Sequence, residues 1–257
     1  MQQHASKNTY EHALTKVPEI TLLFWIIKIA ATTLGETGGD ALSMSLNLGY
    51  LVSTGIFAVI FVGAVYAQIS AARFHPALYW LTIIASTTVG TTLADFADRS
   101  LGIGYTGGSA LLLGLLLTSL FIWYRVEGTI SVRTVSTPRV EMFYWVTIMF
   151  SQTLGTALGD WTADTAGLGY TGGMYIFGGL LLLVVAAYYW TRISRVALFW
   201  AAFVLTRPLG AVVGDFLDKP VEKGGLAISR FAASGALLAF IVLCCLFIPQ
   251  RAAREAH

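Results

Sequence analysis

Long apolar runs separated by short polar connections dominate the chain. A helix needs about 20 residues to cross the hydrocarbon core of a bilayer, and eight runs approach that length. They lie at residues 19–40, 49–70, 77–96, 103–124, 141–161, 168–190, 195–216 and 226–248. None of them alternates apolar and polar residues as a half-buried strand does. The pattern therefore predicts an all-α integral membrane protein with eight transmembrane helices.

The eight runs pair into four repeats. In each repeat an aromatic residue and a tryptophan begin the first run, a glycine follows ten residues after the tryptophan, and an aspartate comes five residues later. Successive copies are offset by 55, 65 and 55 residues. The landmarks are Trp25, Trp80, Trp145 and Trp200; Gly35, Gly90, Gly155 and Gly210; and Asp40, Asp95, Asp160 and Asp215. Because two spans restore the orientation, we expect parallel repeats, with pseudo-fourfold or two-by-two symmetry.

The repeats divide the chain into six parts. We expect a tail at residues 1–17, repeats at 18–74, 75–137, 138–194 and 195–250, and a second tail at 251–257. The second repeat ends in a longer linker around residues 128–138, which joins the two halves. The first tail lacks the apolar core of a signal peptide, so we expect a short, mobile segment there.

Four sequence segments resemble those of a known family: TTLGETGGDALS, GTTLADFADRSLGIGYTGG, SQTLGTALGDWTADTAGLGYTGG and RPLGAVVGDFLDKP. The chain resembles the bacterial inner-membrane family built from four tandem two-span repeats, each with a tryptophan, that is known as a repeat of unknown function. The resemblance covers residues 18–250. It implies the repeat architecture and a membrane location, and it implies no activity.

Composition agrees with a bilayer as the solvent. Hydrophobic residues make up 56% of the chain and charged residues only 12%, whereas soluble domains carry roughly a quarter. This argues against a soluble enzyme, a disordered chain and a nucleic-acid binder, and the net charge of +2 calls for no nucleic-acid partner. Cys244 and Cys245 are adjacent in an apolar run, so they build neither a disulfide framework nor a metal site.

Basic residues predict the orientation of the chain. Ten lie on the side of the two termini and three on the other side, and the side richer in Lys and Arg faces the cytoplasm. The ten are Lys7, Lys16, Arg73, Arg125, Arg133, Arg139, Arg192, Arg195, Arg251 and Arg254, against Arg99, Lys219 and Lys223. We expect a multi-pass protein of the bacterial inner membrane with both termini in the cytoplasm.

Acidic residues gather at the opposite, outer side. The candidate cation ligands are Glu36, Asp40, Asp95, Asp98, Asp160, Asp164, Asp215 and Asp218. Crowded carboxylates need protons or cations, and oxygen ligands suit Mn²⁺, Mg²⁺ or Ca²⁺. Further oxygens are available from Thr33, Thr88, Gln152 and Thr153. Two other interpretations stay open: exposed loop carboxylates, or aspartates that cap the following turn.

The repeated glycines predict how the acids meet. Gly35, Gly90, Gly155 and Gly210 each precede a second small residue by four positions, and such spacing lets helices approach closely. Close approach would place the four aspartates around a common axis or in paired clefts. The aromatic pairs at the starts of the first runs are typical of an interfacial belt, with substrate stacking as the alternative. We expect the second helix of each repeat to face lipid.

Two cations break the symmetry of the repeats. Lys28 and Arg207 lie inside predicted spans, where ionisable groups are costly and mark functional sites by default. We expect a partner aspartate from a neighbouring repeat for Lys28. Either residue could act as a tethered cation that releases the carboxylates when an ion or a proton arrives. The structural alternative is an ion pair that fixes helix register.

These features together predict a membrane transporter of a small inorganic cation, most concretely Mn²⁺ exchanged with protons, in which the metal is substrate rather than cofactor. The alternatives are a carrier of a small organic substrate that uses Arg207 and Lys28, and a sensor or accessory protein without transport. The sequence has no Ser/His dyad and no HExxH motif, so we do not expect an enzyme. The expected partners are the lipid bilayer, the cation, protons and a second copy in a homo-oligomer.

Overall fold

A computed structural model describes residues 15–253, and within that range it contains eight α-helices and no β-strand. The predicted all-α class is confirmed. The helices are α1 Leu22–Asp40, α2 Gly49–Ser70, α3 Pro76–Asp95, α4 Tyr105–Glu127, α5 Pro138–Asp160, α6 Gly169–Trp190, α7 Arg195–Asp218 and α8 Arg230–Phe247.

Local chemistry sets several helix ends. The Thr21 hydroxyl accepts a hydrogen bond from the Phe24 amide at the start of α1, and the Thr137 hydroxyl does the same for the Val140 amide at the start of α5. Such caps satisfy amides that have no partner inside the helix. Gly128 ends α4 with φ +73°, a left-handed conformation that glycine adopts without strain.

The first helices of three repeats continue into a wider π-helical turn directly after the repeated aspartate. A five-residue π-helical turn follows α1, α3 and α5, at Ala41–Ser45, Phe96–Ser100 and Trp161–Thr165. In the fourth repeat α7 stays regular through Asp218 and a short 3₁₀ turn, Val221–Lys223, follows. The turn after Asp215 therefore differs from the other three.

The first helices of the repeats form a ring. Helix α1 packs on α3, α3 on α5, α5 on α7, and α7 returns to α1. Each second helix packs on the first helix of the following repeat: α2 on α3, α4 on α5, α6 on α7, and α8 on α1. We call α1, α3, α5 and α7 the inner helices and the others the outer helices. The outer helices present large apolar residues outward, for example Val59, Leu117 and Leu182.

Of the helices between residues 15 and 253, six are long and apolar enough to cross a membrane: α2, α3, α4, α6, α7 and α8. Helices α1 and α5 carry more polar residues, among them Lys28 and Glu36 in α1 and Gln152 in α5. Four of these six helices, α2, α4, α6 and α8, expose most of their apolar residues, whereas most of α3 and α7 is buried in the ring. Several apolar helices of this length are typical of a membrane protein.

The aromatic belt is a wrong prediction. Trp80, Trp145 and Trp200 are only 1%, 2% and 4% exposed, because the outer helices and the chain ends cover them. They fill the N-terminal end of the ring, where the inner helices begin. There the hydroxyls of Tyr79 and Tyr144 lie 2.7 Å apart in a hydrogen bond between α3 and α5. This end of the ring is closed by packed aromatic rings.

The end of the first tail is ordered, contrary to the expectation of a mobile segment. The Thr15 hydroxyl bonds to the Val132 and Val135 carbonyls of the linker between the halves. The Lys16 ammonium lies 2.6 Å from a Glu141 carboxylate oxygen and 2.9 Å from the Ile69 carbonyl. Residues 1–14 and 254–257, which include the predicted anchors Lys7 and Arg254, lie outside the described residues.

Candidate cation-binding site

The repeated glycines make notches that receive a side chain from the neighbouring inner helix. A Cβ on Gly35 would lie 2.2 Å from Thr87 Oγ1, far inside normal contact distance. The other three glycines face the equivalent residue of the next repeat: Gly90 faces Gln152, Gly155 faces Arg207, and Gly210 faces Thr32. Any larger residue at these positions would push the inner helices apart. The notches therefore set the diameter of the ring.

Close packing brings the four aspartates to the C-terminal end of the ring. All four are buried, with exposures of 1% to 3%, and they are Asp40, Asp95, Asp160 and Asp215. Glu36 belongs to the same region, because a Cβ on Gly214 would lie 2.6 Å from its Cβ. One carboxylate oxygen each from Glu36, Asp40 and Asp215 lie within 4.8 Å of one another. We call these three residues the candidate cation site.

Lys219 bridges two of the aspartates. Its ammonium nitrogen bonds to Asp40 Oδ2 and lies 2.9 Å from Asp215 Oδ1 and 3.9 Å from Asp218 Oδ1. Burial alone would lower the pKa of Lys219, but Asp215, Asp40 and Asp218 raise it well above its ordinary value. We call Asp40 and Asp215 the lysine-bridged pair.

Arg99 bridges the other two aspartates. Its Nε lies 3.0 Å from Asp95 Oδ1, and its Nη2 lies 3.3 Å from Asp160 Oδ2. We call Asp95 and Asp160 the arginine-bridged pair. Arg99 and Lys219 occupy the same repeat position, four residues after the aspartate. The four acids thus resolve into two pairs, each with its own cation.

The remaining predicted acids lie apart from the candidate cation site or at its edge. Asp218 lies 3.1 Å from Arg230 Nε. Asp98 is buried against α4, where a Cβ on Gly108 would lie 2.4 Å from its Oδ1. Asp164 is exposed in the turn after α5, and it forms none of the ion pairs found between residues 15 and 253.

Arg207 ties the inner helices together deeper in the ring. Its Nη2 donates to Glu36 Oε2 at 3.0 Å, to Thr91 Oγ1 at 2.6 Å and to Thr156 Oγ1. One guanidinium group on α7 therefore reaches α1, α3 and α5. Its Nε and Nη1 are buried without a hydrogen-bond partner in the described part of the chain.

The expected aspartate partner of Lys28 is a wrong prediction. The fully buried ammonium donates to Thr206 Oγ1 at 3.4 Å and lies 4.1 Å from the centroid of the Phe203 ring. Among residues 15–253 it takes part in no ion pair. A cation over an aromatic face gains some stabilisation, but that contact leaves the charge of Lys28 uncompensated.

The supporting polar residues do not reach the candidate cation site. The hydroxyls of Thr33, Thr88 and Thr153 donate to carbonyls of their own helices, at 3.0, 2.6 and 3.0 Å. Gln152 Nε2 instead donates to Ser86 Oγ on α3 at 3.4 Å. Such back-bonding satisfies a hydroxyl within one helix, so these oxygens are not directed at the aspartates.

Sequence reasoning missed four residues of this region: Lys219, Arg99, Thr91 and Thr156. Lys219 and Arg99 entered it only as basic residues of the outer side. Their shared repeat register, four residues after an aspartate, is the signal that identifies both. Thr91 and Thr156 occupy the position of Glu36 in the second and third repeats, so the register identifies them too.

The fold and the site define an all-helical protein with several membrane-length apolar helices and buried charges inside its inner ring. The family model described as a Repeat of Unknown Function (DUF347) matches the chain four times, at residues 23–74, 78–129, 143–194 and 198–252. The chain belongs to this family, which confirms the resemblance seen in the sequence. No curated protein and no solved structure matches the chain.

Proposed function

We propose that the protein is a membrane carrier of a small inorganic cation, most concretely a divalent metal ion such as Mn²⁺ in exchange for protons. The observation that carries the proposal is the candidate cation site, in which Glu36, Asp40 and Asp215 bring oxygens within 4.8 Å of one another. Within residues 15–253 the three carboxylates have Lys219 and Arg207 as their closest cations, and Arg230 Nε lies 3.8 Å from Asp40 Oδ2. A hard divalent ion suits such an oxygen set.

The proposal includes the membrane arrangement. All eight helices cross the bilayer, with the four repeats in pseudo-fourfold order, and α1 and α5 cross because the ring shields their polar residues. The cyclic packing of outer helices on the next repeat supports this order. The excess of Lys and Arg on the side of the termini supports cytoplasmic termini, in a bacterial inner membrane. The candidate cation site then faces the outside.

A carrier fits better than a channel. Arg207 spans the centre of the ring and bonds to the three other inner helices. The aromatic layer with Tyr79 and Tyr144 closes the N-terminal end. An ion in the candidate cation site therefore has no open path past these layers, and passage needs a rearrangement of the ring. A ring that must rearrange in each cycle works by alternating access.

A second candidate function is a carrier of a small organic acid. Arg207 Nε and Nη1 have no partner in the described residues, and Lys28 has no carboxylate beside it. Two such cations could hold a carboxylate substrate, because arginine recognises carboxylates with two parallel hydrogen bonds. The cation carrier remains the better supported function, because the candidate cation site already consists of three buried carboxylates close together.

Uptake into liposomes tests the proposal. Purified protein is reconstituted, and uptake of Mn²⁺, Mg²⁺ and Ca²⁺ is measured with and without a pH gradient. We expect Mn²⁺ uptake that the gradient accelerates. Asp40→Asn and Asp215→Asn each lower it about tenfold or more, the equivalent of about 1.4 kcal/mol in the barrier.

Asp164→Asn is the matched control, because Asp164 is an exposed acid at the same end of the protein. Its uptake stays at the wild-type rate. The proposal fails if the wild type moves none of the three ions, or if Asp40→Asn and Asp215→Asn transport like Asp164→Asn. Uptake of a small carboxylate with no metal flux would favour the second candidate.

A further inference from the structure

The ammonium group of Lys219 sits where a bound cation would sit. It contacts Asp40, lies 2.9 Å from Asp215 Oδ1 and reaches Asp218 Oδ1 at 3.9 Å. Its side chain is 11% exposed, and the two carboxylates of the lysine-bridged pair are almost fully buried. Three carboxylates around one compact cation reproduce the surroundings of a bound metal ion.

The candidate cation site contains carboxylate oxygens that Lys219 does not contact. Asp40 Oδ1 is buried with no hydrogen-bond partner between residues 15 and 253, and Glu36 adds a third carboxylate that Lys219 does not contact. A buried carboxylate oxygen without a partner is costly. A bound cation would give Asp40 Oδ1 a partner, and Lys219 alone does not.

We propose that Lys219 is a tethered cation that occupies the carboxylate site of the empty carrier and is displaced by the transported ion. This inference rests on the proposed function. The metal-free carrier can then change conformation with Asp40 and Asp215 neutralised by Lys219 and the exchanged protons on its remaining acids, whereas bare carboxylates inside a membrane protein are expensive to move. Lys219 therefore permits net transport, in which the carrier returns without a metal ion.

The local fold lets the side chain of Lys219 move while its backbone stays fixed. Lys219 is the first residue after α7, with an extended ψ of 155°. Its carbonyl accepts a hydrogen bond from the Ala227 amide at 2.9 Å, and Gly225 packs so closely that a Cβ there would lie 2.1 Å from that carbonyl oxygen. A flexible four-carbon stem then carries the ammonium group, so displacement requires no unwinding of α7.

Two transport modes separate this inference from the proposed function. Net uptake of Mn²⁺ into empty liposomes requires return of the empty carrier, and exchange of labelled Mn²⁺ against internal Mn²⁺ does not. In Lys219→Gln we expect net uptake to fall about tenfold, while exchange stays near the wild-type rate. Lys223→Gln is the matched control, because Lys223 is an exposed lysine in the same loop, and both modes stay normal there.

The inference is overturned if Lys219→Gln keeps its net uptake, or if exchange falls as far as net uptake does. Absence of Mn²⁺ flux in the wild type would instead overturn the proposed function. Lys219→Arg gives a second test should the glutamine variant fail to fold. It retains the charge and holds carboxylates with a fork of donors, so net uptake persists and the KM for Mn²⁺ rises. An unchanged KM would contradict displacement by the metal ion.

Discussion

The two aspartate pairs at the C-terminal end of the ring have the same positions in the repeats and different surroundings. The lysine-bridged pair joins α1 and α7, and Glu36 lies next to it, so three carboxylates share that side. Beside the arginine-bridged pair, the positions equivalent to Glu36 hold Thr91 and Thr156. Four copies of one motif have thus produced one side with three clustered carboxylates and one side with two carboxylates and two threonine hydroxyls.

The two bridging cations, Arg99 and Lys219, also differ in how rigidly they hold their carboxylates. Arg99 holds its two carboxylates through separate nitrogens at 3.0 and 3.3 Å, and a guanidinium group is always charged and rigid. Lys219 carries a compact charge on a flexible stem. The comparison teaches that the denser carboxylate cluster and the cation with the more flexible stem occur on the same side, and the proposed ion exchange is assigned to that side for this reason.

The largest loss of stability is expected from a change at Arg207, which pairs with Glu36 on the side of the lysine-bridged pair (the lysine side; the arginine side is that of the arginine-bridged pair). Arg207→Met leaves Glu36 buried without its cation, and loss of one partner of a buried pair costs about 3–5 kcal/mol. Thermal unfolding in detergent measures the loss. The double variant Arg207→Met, Glu36→Gln removes the stranded charge and should recover a large part of it. A double variant as unstable as the single one would contradict this origin.

A smaller effect is expected from the notches that hold the two pairs together. Gly210→Ala on the lysine side places a Cβ 2.2 Å from Thr32 Oγ1, whereas Gly90→Ala on the arginine side meets Gln152 at 3.0 Å. Overpacking costs typically about 1–3 kcal/mol, so Gly210→Ala should be the less stable variant. Gly55→Ala on α2 is the control, since its Cβ meets nothing within 4 Å. Equal melting temperatures for all three would refute the tight notches.

The smallest effect is expected at Arg99. Its side chain is 30% exposed while its partners Asp95 and Asp160 are buried, so solvent screens the arginine and its loss costs about 1 kcal/mol, at the upper end for exposed pairs and below the cost of breaking a fully buried pair. Arg99→Gln should therefore lower stability by no more than that and leave the stabilisation of the protein by added Mn²⁺ intact, because a ligand stabilises the state that it binds. The readout is the melting temperature with and without Mn²⁺. Loss of the metal response in Arg99→Gln would show that the arginine side also binds the ion.

Much of the helical framework could be predicted from the sequence, because the length of an apolar run is a local property. The predicted run 49–70 coincides with α2, and the run 168–190 differs from α6 by one residue. The belt of tryptophans was predicted wrongly because the belt rule assumes that a tryptophan near a helix end meets lipid. Trp80 and Trp145 are instead enclosed within the aromatic core at the N-terminal end of the ring.

The candidate site was predicted in part. Glu36, Asp40 and Asp215 were all among the candidate ligands, and the equal spacing of the aspartates placed them at one end of the protein. Which acids share a cation depends on the order of the inner helices, and Lys219 comes to Asp40 from 179 positions away in the chain. No local pattern contains that contact, although the repeat register marks Lys219 as the counterpart of Arg99.

By itself the sequence determined the helical class, the four repeats and the end of the inner helices at which the acids lie, because these follow from hydrophobic runs and fixed spacings. Only the tertiary structure decided that each outer helix packs on the next repeat, and that four equivalent aspartates divide into two unequal pairs. The physical reason is that the notches and the bridging cations act between helices distant in the chain, where one lysine and one arginine at the same repeat position create different charge environments.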